Sequence, residues 1–335
     1  MKTIAFLGNR YGSLSRTLFL GLLRANSSRP DPARIVVVDT SSQDAARVMS
    51  RVRNFMVNTA KRLVPGANPT HSLDWFKEDF ASEFETFSPP QNDINNERTL
   101  EWLESHLIDG AIVGGCDQLI RENFLSCCPK IINYHNGLLP EYRGVAAVQW
   151  AIYNREPTIG FTFHTIESKG IDRGRVVFSA KFDLDIEKGP DHYSQLLDTE
   201  AAKNMGAVID ALLSDWPPPG DLVEKGRYYS RTRFEEKRRL TPHRRVSDLI
   251  WSHYAMGGLI FEIQFTVGKL RLRITKVEQC SKEVPTMSLG NGFKISTKGI
   301  VMECKDGPIL LKSINYVPSL IWMPLIWLFS QNNKE

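Results

Sequence analysis

The chain has 335 residues, of which 42% are hydrophobic and 24% charged, which is ordinary for a soluble globular protein of one or two domains. Its five cysteines form no C-x-x-C pair and no Cys/His cluster, which argues against a structural zinc site and for reduced thiols in a cytoplasmic protein. Residues 1–8 have the pattern of a short strand ending in glycine, not of a long apolar leader, so we expect no secretory signal.

Charge is distributed unevenly along the chain. The net charge is +4, yet acidic residues prevail before Gly220 and basic residues prevail after it. This asymmetry indicates two domains with different surroundings. A basic C-terminal part is compatible with a polyanionic partner but does not require one.

The first forty residues have the pattern of a β-α-β unit. Residues 2–8 and 35–39 are apolar strands, and a helix with a periodic apolar face lies between them. This opening predicts a Rossmann-like sheet with mostly parallel strands. The dinucleotide-binding fingerprint G-x-G-x-x-G is incomplete, because only Gly8 and Gly12 are in place, and we therefore reject NAD binding despite Asp39.

Further elements lead to the middle of the chain. Residues 42–64 are predicted to form a long helix with a solvated basic face, and residues 65–95 a short helix between loops. Residues 97–107 fit another helix. Residues 110–115 fit a buried strand that ends in a close approach of the backbone at two glycines.

Two polar side chains end the next apolar strand. Residues 130–132 lead to Asn133 and His135, which share one face of the strand because strand side chains alternate. The strand breaks at Gly137 and Pro140, so the pair lies at its carboxyl end, where open α/β sheets bind ligands. An amide can stabilise a developing oxyanion, and an imidazole can transfer a proton near neutral pH. A strand end with locally partnered polar residues is the simpler interpretation of the pair alone.

A carboxylate follows in residues 159–178, which have the pattern of a strand, a loop and another strand. Asp172 lies in this loop between Gly170 and Gly174. A carboxylate there can orient His135 and favour its protonated form. Taken alone, Asp172 is better explained as a turn residue.

The remainder of the chain divides at a proline run. Residues 191–213 form an amphipathic helix, and the sequence from Trp216 to Gly220 marks a boundary. We predict a catalytic domain over 1–215, a linker over 216–245 and a β-rich domain over 246–335. Seven Arg and Lys residues between 231 and 245 fit either a nucleic-acid contact or a solvated linker. The acidic residues that interrupt them favour the linker.

The C-terminal part combines short strands with an apolar tail. Alternating segments between residues 270 and 311, separated by turn residues, predict a small antiparallel barrel or sandwich. Residues 317–329 are almost wholly apolar, but prolines interrupt them and they are too short to span a membrane. Three interpretations stand for this tail: docking on the core, a homodimer contact, or contact with a membrane surface.

These motifs together resemble the folate-dependent formyltransferase family, which includes methionyl-tRNA formyltransferase and sugar N-formyltransferases. The family motif is Asn-x-His, then Leu-Leu-Pro-x-x-x-Gly, then an Asp within Gly-x-Asp-x-Gly. Here these are Asn133 with His135, residues 138–144, and residues 170–174. The resemblance implies an α/β fold with a Rossmann-like catalytic domain and a smaller C-terminal β-rich domain, similar to the OB-like domain of methionyl-tRNA formyltransferases.

The resemblance also implies a mechanism and a set of site residues. The donor is 10-formyltetrahydrofolate, and no metal is needed because the folate nitrogen is already the leaving group. Asn133 is expected to donate to the oxyanion, and His135, paired with Asp172, to stabilise that charge and assist proton transfer. The pterin ring of the folate is expected between two loops, at Gln118, Leu119, Ile120, Leu125, Glu167, Ser168 and Gly170.

The acceptor is expected at the first turn of the sheet. Asn9, Tyr11, Gly12 and Tyr142 are candidates for acceptor contact, although a plain β-α turn explains the first three equally well. Transfer to a small primary amine, such as a nucleotide-linked amino sugar or a natural-product or peptide amine, is favoured. The loop over residues 40–44 lacks the cations that the tRNA enzymes carry there. Alternatives are methionyl-tRNA formyltransferase, a hydrolase releasing formate from the same folate, and a non-catalytic folate-binding protein.

Overall fold

The computed structural model describes residues 1–41, 76, 80, 82–167, 170–223, 225–265, 268–280, 286–290, 293–296, 299–314 and 317–318. The chain forms two compact units that interleave along the sequence. The first comprises residues 1–143, 160–181 and 195–227, and the second residues 144–159, 182–194 and 228–335. The division predicted at residues 215 and 245 stays a prediction.

The strands up to residue 229 are named in chain order. They are β1 Thr3–Gly8, β2 Arg34–Asp39, β3 Glu85–Phe87, β4 Gly110–Gly114, β5 Ile131–His135, β6 Arg143–Gly144, β7 Thr158–Thr165, β8 Val176–Asp183 and β9 Tyr228–Tyr229.

A seven-stranded sheet has the order β3-β2-β1-β4-β5-β7-β8. The first five of these strands pair in parallel, and β7 runs antiparallel to β5. Strands β1 and β4 are buried along their whole length, as continuous apolar runs in parallel sheets are. The chain leaves β1 toward β2 and returns at β4, so the strand order reverses there. The predicted Rossmann-like, mostly parallel sheet is confirmed.

The α-helices of the described residues are Ser13–Ser27, Glu97–Ser105, Glu122–Cys127, Ala147–Tyr153, Gly189–Lys203, Met205–Leu213, Arg231–Arg238 and Val246–Ala255. Two predictions differ from this set. Residues 191–213 are not one helix, because the helix breaks at Asn204, whose side-chain amide donates to the Glu200 carbonyl at 2.8 Å. The region 65–95 contains strand β3, which the sequence analysis missed. The helix predicted over 42–64 lies outside the described residues.

The second unit contains an antiparallel sheet. Its strands are β10 Leu259–Phe265, β11 Gly268–Gln279, β12 Thr286–Gly290, β13 Phe293–Ser296, β14 Gly299–Cys304, β15 Gly307–Ile314 and β16 Val317–Pro318. Their order is β10-β11-β15-β14-β13-β12, with β16 beside β15. A buried apolar cluster that includes Leu249, Leu259, Met302 and Leu311 joins this sheet to the helix Val246–Ala255. The β-rich C-terminal part is confirmed, and its OB-like character stays a prediction.

The described residues contain no helix that is both long and apolar enough to cross a membrane. The apolar tail over residues 317–329 lies, apart from β16, outside the described part of the chain.

Candidate active site

Strand β5 presents Asn133 and His135 on one face and Tyr134 on the other. The Tyr134 ring packs against Phe161 and Phe163, and its hydroxyl donates to Asp198 Oδ1 at 2.8 Å. The core therefore fixes the rotation of the strand about its own axis. His135 is only 7% exposed, so its imidazole lies inside the protein at the carboxyl end of the strand.

The orientation of the His135 ring follows from one hydrogen bond. Its Nε2 donates to the backbone carbonyl oxygen of Tyr142 at 2.5 Å. A carbonyl only accepts, so Nε2 carries the hydrogen in the neutral ring and Nδ1 does not. Nδ1 faces Asp172 Oδ2 at 3.7 Å. The nitrogen that can take up a proton is thus the one beside the carboxylate.

Burial lowers the pKa of His135 below its ordinary value, and the neighbouring His164 acts in the same direction. Asp172 and the Tyr142 carbonyl oppose this effect, because both favour the protonated ring. Burial is the largest contribution, so the lowered pKa leaves the imidazole unprotonated at neutral pH. A neutral ring with a bare nitrogen beside a carboxylate is suited to act as a general base.

Asp172 lies in a loop with constrained backbone. Its φ of 52° is in the left-handed region, which is uncommon for residues other than glycine. The loop is closed at its base, where the Arg175 amide donates to Thr165 Oγ1 at 2.7 Å and the Thr165 amide donates to the Arg175 carbonyl at 2.9 Å. A side chain at Gly174 would overlap the Thr165 carbonyl. This packing fixes the position of the carboxylate between two histidines.

His164 is a fourth member of the cluster, and the sequence analysis missed it. The antiparallel register of β5 and β7 places His164 directly opposite Asn133. Its Nδ1 donates to the Thr165 carbonyl at 2.8 Å, so Nε2 is the accepting nitrogen of the neutral ring. That Nε2 lies 3.1 Å from Asn133 Nδ2 and 3.4 Å from Asp172 Oδ1. His164 therefore orients the Asn133 amide.

The alternation along β7 carried a signal for His164. Phe161 and Phe163 pack against Tyr134, so Thr162 and His164 share the opposite face, toward Asn133 and His135. Thr162 also lies opposite His135, and its Oγ1 donates to the Gly137 carbonyl at 2.9 Å. A histidine at this position of the alternating pattern lies on the same face of the sheet as Asn133 and His135.

The residues predicted to contact the pterin ring lie in two loops and, for Leu125, in the helix Glu122–Cys127. Ile120 and Leu125 pack against the same buried cluster as Ile166, which immediately precedes Glu167. Leu119 is 64% exposed, and Gln118 Oε1 accepts from the Ile94 amide at 3.0 Å. Their contact with folate stays a prediction.

Asn95, which the sequence analysis did not identify, fixes the first of these loops. Its Nδ2 donates to the Leu119 carbonyl at 3.0 Å, and its Oδ1 accepts from the Arg121 amide at 2.8 Å. In the second loop, the Thr165 hydroxyl donates to Glu167 Oε1 at 3.2 Å. Gly170 has a φ of 120°, and Ser168 lies outside the described residues.

Three of the residues predicted to contact the acceptor, Asn9, Tyr11 and Gly12, form an ordered turn. Asn9 Oδ1 accepts from the Tyr11 amide at 2.8 Å, and the Asn9 carbonyl accepts from the Gly12 amide at 2.9 Å. This turn leads from β1 into the helix Ser13–Ser27. Tyr142 is buried, with 7% exposure, and its carbonyl oxygen accepts from His135 Nε2. Acceptor contact stays a prediction for all four residues.

The thiols of Cys116 and Cys128 are poor nucleophiles at neutral pH. Burial raises the pKa of Cys116 to about 11 and that of Cys128 to about 12. Within the described parts of the chain, no three His, Cys, Asp or Glu side chains are grouped so that they could hold a metal ion. The reactive groups on β5, β7 and the Asp172 loop are therefore two imidazoles, an amide and a carboxylate.

A Rossmann-like sheet with Asn133, His135 and Asp172 clustered at its carboxyl edge fits a group transferase that works through an oxyanion. Residues 2–209 match the family model described as formyl transferase. Because this match covers more than half of the chain, the protein belongs to the formyl transferase family. The resemblance stated from the motifs is confirmed.

Similar sequences include methionyl-tRNA formyltransferases. The protein from Finegoldia magna is 25% identical over 288 residues, which cover 77% of this chain and 87% of that protein. The protein from Fervidobacterium nodosum is 40% identical over 90 residues, which cover 27% of this chain and 28% of that protein.

Similar solved structures include a sugar N-formyltransferase from Shewanella sp FDAARGOS_354. It has a TM-score of 0.56 at 13% identity over 82% of this chain and 98% of that chain. A variant of HypX from Aquifex aeolicus has a TM-score of 0.57 at 15% identity over 97% of this chain and 47% of that chain. This chain thus spans about half of HypX. At these identities the likeness concerns the fold.

Proposed function

We propose that the protein transfers a formyl group from 10-formyltetrahydrofolate to the primary amine of a small acceptor. The observation that carries this proposal is the contact network of Asn133, His135, His164 and Asp172 in a formyl transferase fold. The network contains an oxyanion donor, a neutral base and a carboxylate that stabilises the protonated base.

Asn133 provides the oxyanion donor. When the amine attacks the formyl carbon, the carbonyl oxygen gains negative charge and needs a hydrogen-bond donor already in place. One hydrogen of the Asn133 amide is directed at His164 Nε2, 3.1 Å away. The second hydrogen is then fixed in direction, because the amide group is planar. His164 thus orients the donor before the substrate arrives.

His135 provides the base. Its Nε2 is occupied at the Tyr142 carbonyl, so proton transfer from the attacking amine takes place at Nδ1. The imidazolium that forms is stabilised by Asp172 Oδ2, 3.7 Å from Nδ1. The nitrogen of the folate leaves with the electron pair of the broken bond and receives a proton, which completes the transfer.

The basic segment over residues 231–245 supports a small acceptor. Lys237 Nζ donates to the Tyr153 hydroxyl at 3.2 Å, and Arg238 Nε donates to the Gly258 carbonyl at 3.1 Å. Arg244 donates to the Lys237 carbonyl at 2.8 Å, and burial lowers the pKa of its guanidinium. These three cations donate to hydroxyl and carbonyl groups of the second unit. Such contacts are typical of a structural segment rather than of a surface that binds phosphates.

A second candidate, methionyl-tRNA formyltransferase, is favoured by the Finegoldia magna relative, because the match covers 87% of that protein. The decisive assay combines the purified protein and 10-formyltetrahydrofolate with nucleotide-linked amino sugars, small amines and charged initiator tRNA. Tetrahydrofolate and formate are both measured. Turnover with a small amine supports the proposal, turnover with tRNA alone supports the second candidate, and formate release without transfer indicates a hydrolase.

A further inference from the structure

A short segment after the proline run lies against both loops that carry the catalytic groups. We call residues 220–223 and 225–227 the brace. Its first half pairs antiparallel with the backbone that follows Asp172. The Val176 amide donates to the Asp221 carbonyl at 3.0 Å, and the Val223 amide donates to the Gly174 carbonyl at 3.1 Å. Arg175 and Leu222 form the bridge between these two bonds.

The second half of the brace contacts the loop that follows His135. The Arg143 amide donates to the Arg227 carbonyl at 3.1 Å. Arg143 directly follows Tyr142, whose carbonyl accepts the hydrogen of His135 Nε2. The brace is therefore bonded on one side to the backbone beside the Tyr142 carbonyl, and on the other to the backbone beside Asp172.

A glycine makes the close approach at each end. Gly220 has a φ of 149° and Gly226 a φ of 145°, which favour glycine. A Cβ at Gly220 would overlap the carbonyl oxygen of Val176, and a Cβ at Gly226 would overlap the carbonyl oxygen of Pro140. Each glycine therefore meets the loop that carries one of the two partners of His135.

We propose that the brace is a positioning element for His135. It holds the Tyr142 carbonyl at Nε2 and the Asp172 carboxylate at Nδ1, so that the ring keeps its hydrogen on Nε2 and presents Nδ1 for proton transfer. The catalytic consequence rests on the proposed function, whereas the effect on the ring does not. Displacement of a reacting group by about 1 Å lowers a rate by about 10²-fold, so a small shift of either loop is measurable.

The test compares glycine-to-alanine variants at two positions with nearly equal φ. Gly226→Ala drives a Cβ into the Pro140 carbonyl. Gly307→Ala, at the first residue of β15, introduces the same residue at a φ of 146° with no atom within 4 Å. The tautomer and titration of His135 are read from nitrogen-15 spectra of labelled histidines, and its signals are assigned by their loss in His135→Gln.

We expect Gly226→Ala to shift the His135 signals and to lower kcat at least about 10-fold with the donor KM within about 3-fold. Gly307→Ala should lower Tm and leave both the signals and kcat unchanged. A folded Gly226→Ala with wild-type His135 signals would overturn the proposal. The spectra need no substrate, so wild-type protein that lacks transferase activity counts against the proposed function and not against the brace.

Two further measurements apply if Gly226→Ala does not fold. Gly220→Ala perturbs the other end, and we expect it to lower the pKa of His135, because Asp172 recedes from Nδ1. Hydrogen exchange of the wild-type protein requires no substitution. The Arg143 and Val176 amides should exchange as slowly as those of β5. Exchange at the rate of an exposed loop contradicts the brace.

Discussion

His135 Nε2 lies 2.5 Å from the carbonyl oxygen of Tyr142, and this bond selects the nitrogen of the imidazole that takes part in chemistry. Tyr142, seven residues further along the chain, is predicted to contact the acceptor. Its backbone carbonyl also binds the imidazole of His135. With Nε2 engaged, the only nitrogen that can accept a proton faces Asp172. The ring is thus oriented from both sides before any substrate binds.

Removal of the base or of the oxyanion donor should abolish most turnover. We expect His135→Ala and Asn133→Ala each to lower kcat by about 10²-fold or more, because each removes a group that acts in the transition state. Binding of a folate analogue should change little. The matched control is His192→Ala, an exposed histidine on the helix Gly189–Lys203, which should retain full activity. Near-normal turnover of either site variant removes that residue from the mechanism.

The effect of His164 should depend on Asn133. Because His164 Nε2 orients the Asn133 amide at 3.1 Å, His164→Ala should lower kcat by about 10-fold or more in the native enzyme. The same substitution in an Asn133→Ala background should have a much smaller effect, since the donor it orients is gone. A double-mutant cycle on kcat measures this. Additive losses would show that the two side chains act independently.

The lowered pKa of His135 predicts the acidic limb of the pH profile. Activity should fall as pH drops through that pKa, because the protonated ring cannot accept a proton from the amine. Asp172 raises the pKa of His135, so Asp172→Asn should move the acidic limb to lower pH while reducing the maximal rate. Profiles of kcat/KM from pH 4.5 to pH 8 show in which direction the acidic limb moves. A shift of the limb to higher pH contradicts the assignment.

The buried carboxyl of Asp198 predicts how stability depends on pH. Burial raises its pKa from 3.8 to about 6, although the Tyr134 hydroxyl opposes the shift. A raised folded-state pKa stabilises the protein most below pH 4, and this stabilisation is lost as pH rises through 6. The difference corresponds to at most about 3 kcal/mol in the free energy of unfolding.

Asp198→Asn removes this ionisation and keeps an oxygen that accepts from Tyr134. The variant should exceed the wild-type free energy of unfolding above pH 6, and the difference should shrink toward pH 4. Urea unfolding at pH 4.5, 6 and 7.5 measures it. A difference that does not change with pH would mean that Asp198 is already ionised throughout this range.

Local patterns were sufficient for part of the site. Alternation along β5 predicts that Asn133 and His135 share a face, and the break after the strand predicts their place at its carboxyl end. Asp172 required the motif resemblance, because a single Asp between glycines is typical of many turns. His164 depends on which strand lies beside β5, and antiparallel pairing with β7 is a long-range choice that no local window contains.

The position of the brace also depends on long-range pairing that the local sequence does not contain. The prolines over residues 217–219 predict a boundary, and the residues after them are assigned to a linker, which stays a prediction. Their carbonyls and amides pair with loops whose own sequence positions are remote, at Gly174 and Arg143. Positive φ values at Gly220 and Gly226 are the local sign of such close approach, and they become informative only once the opposing carbonyls are known.

The cations of residues 231–245 should affect stability more than transfer. Arg244 donates to the partly buried carbonyl of Lys237 and to the exposed carbonyl of Asp248, and Arg244→Met would remove both hydrogen bonds. We expect a loss of about 1–3 kcal/mol in the free energy of unfolding, seen as a lower Tm, with kcat for the true amine retained. The control is the pair Arg231→Gln and Arg245→Gln, both exposed, which should alter neither quantity.

The same variants separate a small acceptor from tRNA. A surface that binds phosphates loses affinity steeply with salt, because each neutralised phosphate releases counterions. If Arg231 and Arg245 contacted tRNA, their substitution would weaken tRNA binding and reduce its salt dependence. We expect charged initiator tRNA not to be a substrate and the transfer to a small amine to depend weakly on salt. Efficient formylation of that tRNA, lost in the double variant and at high salt, would replace the small-acceptor proposal with the tRNA enzyme.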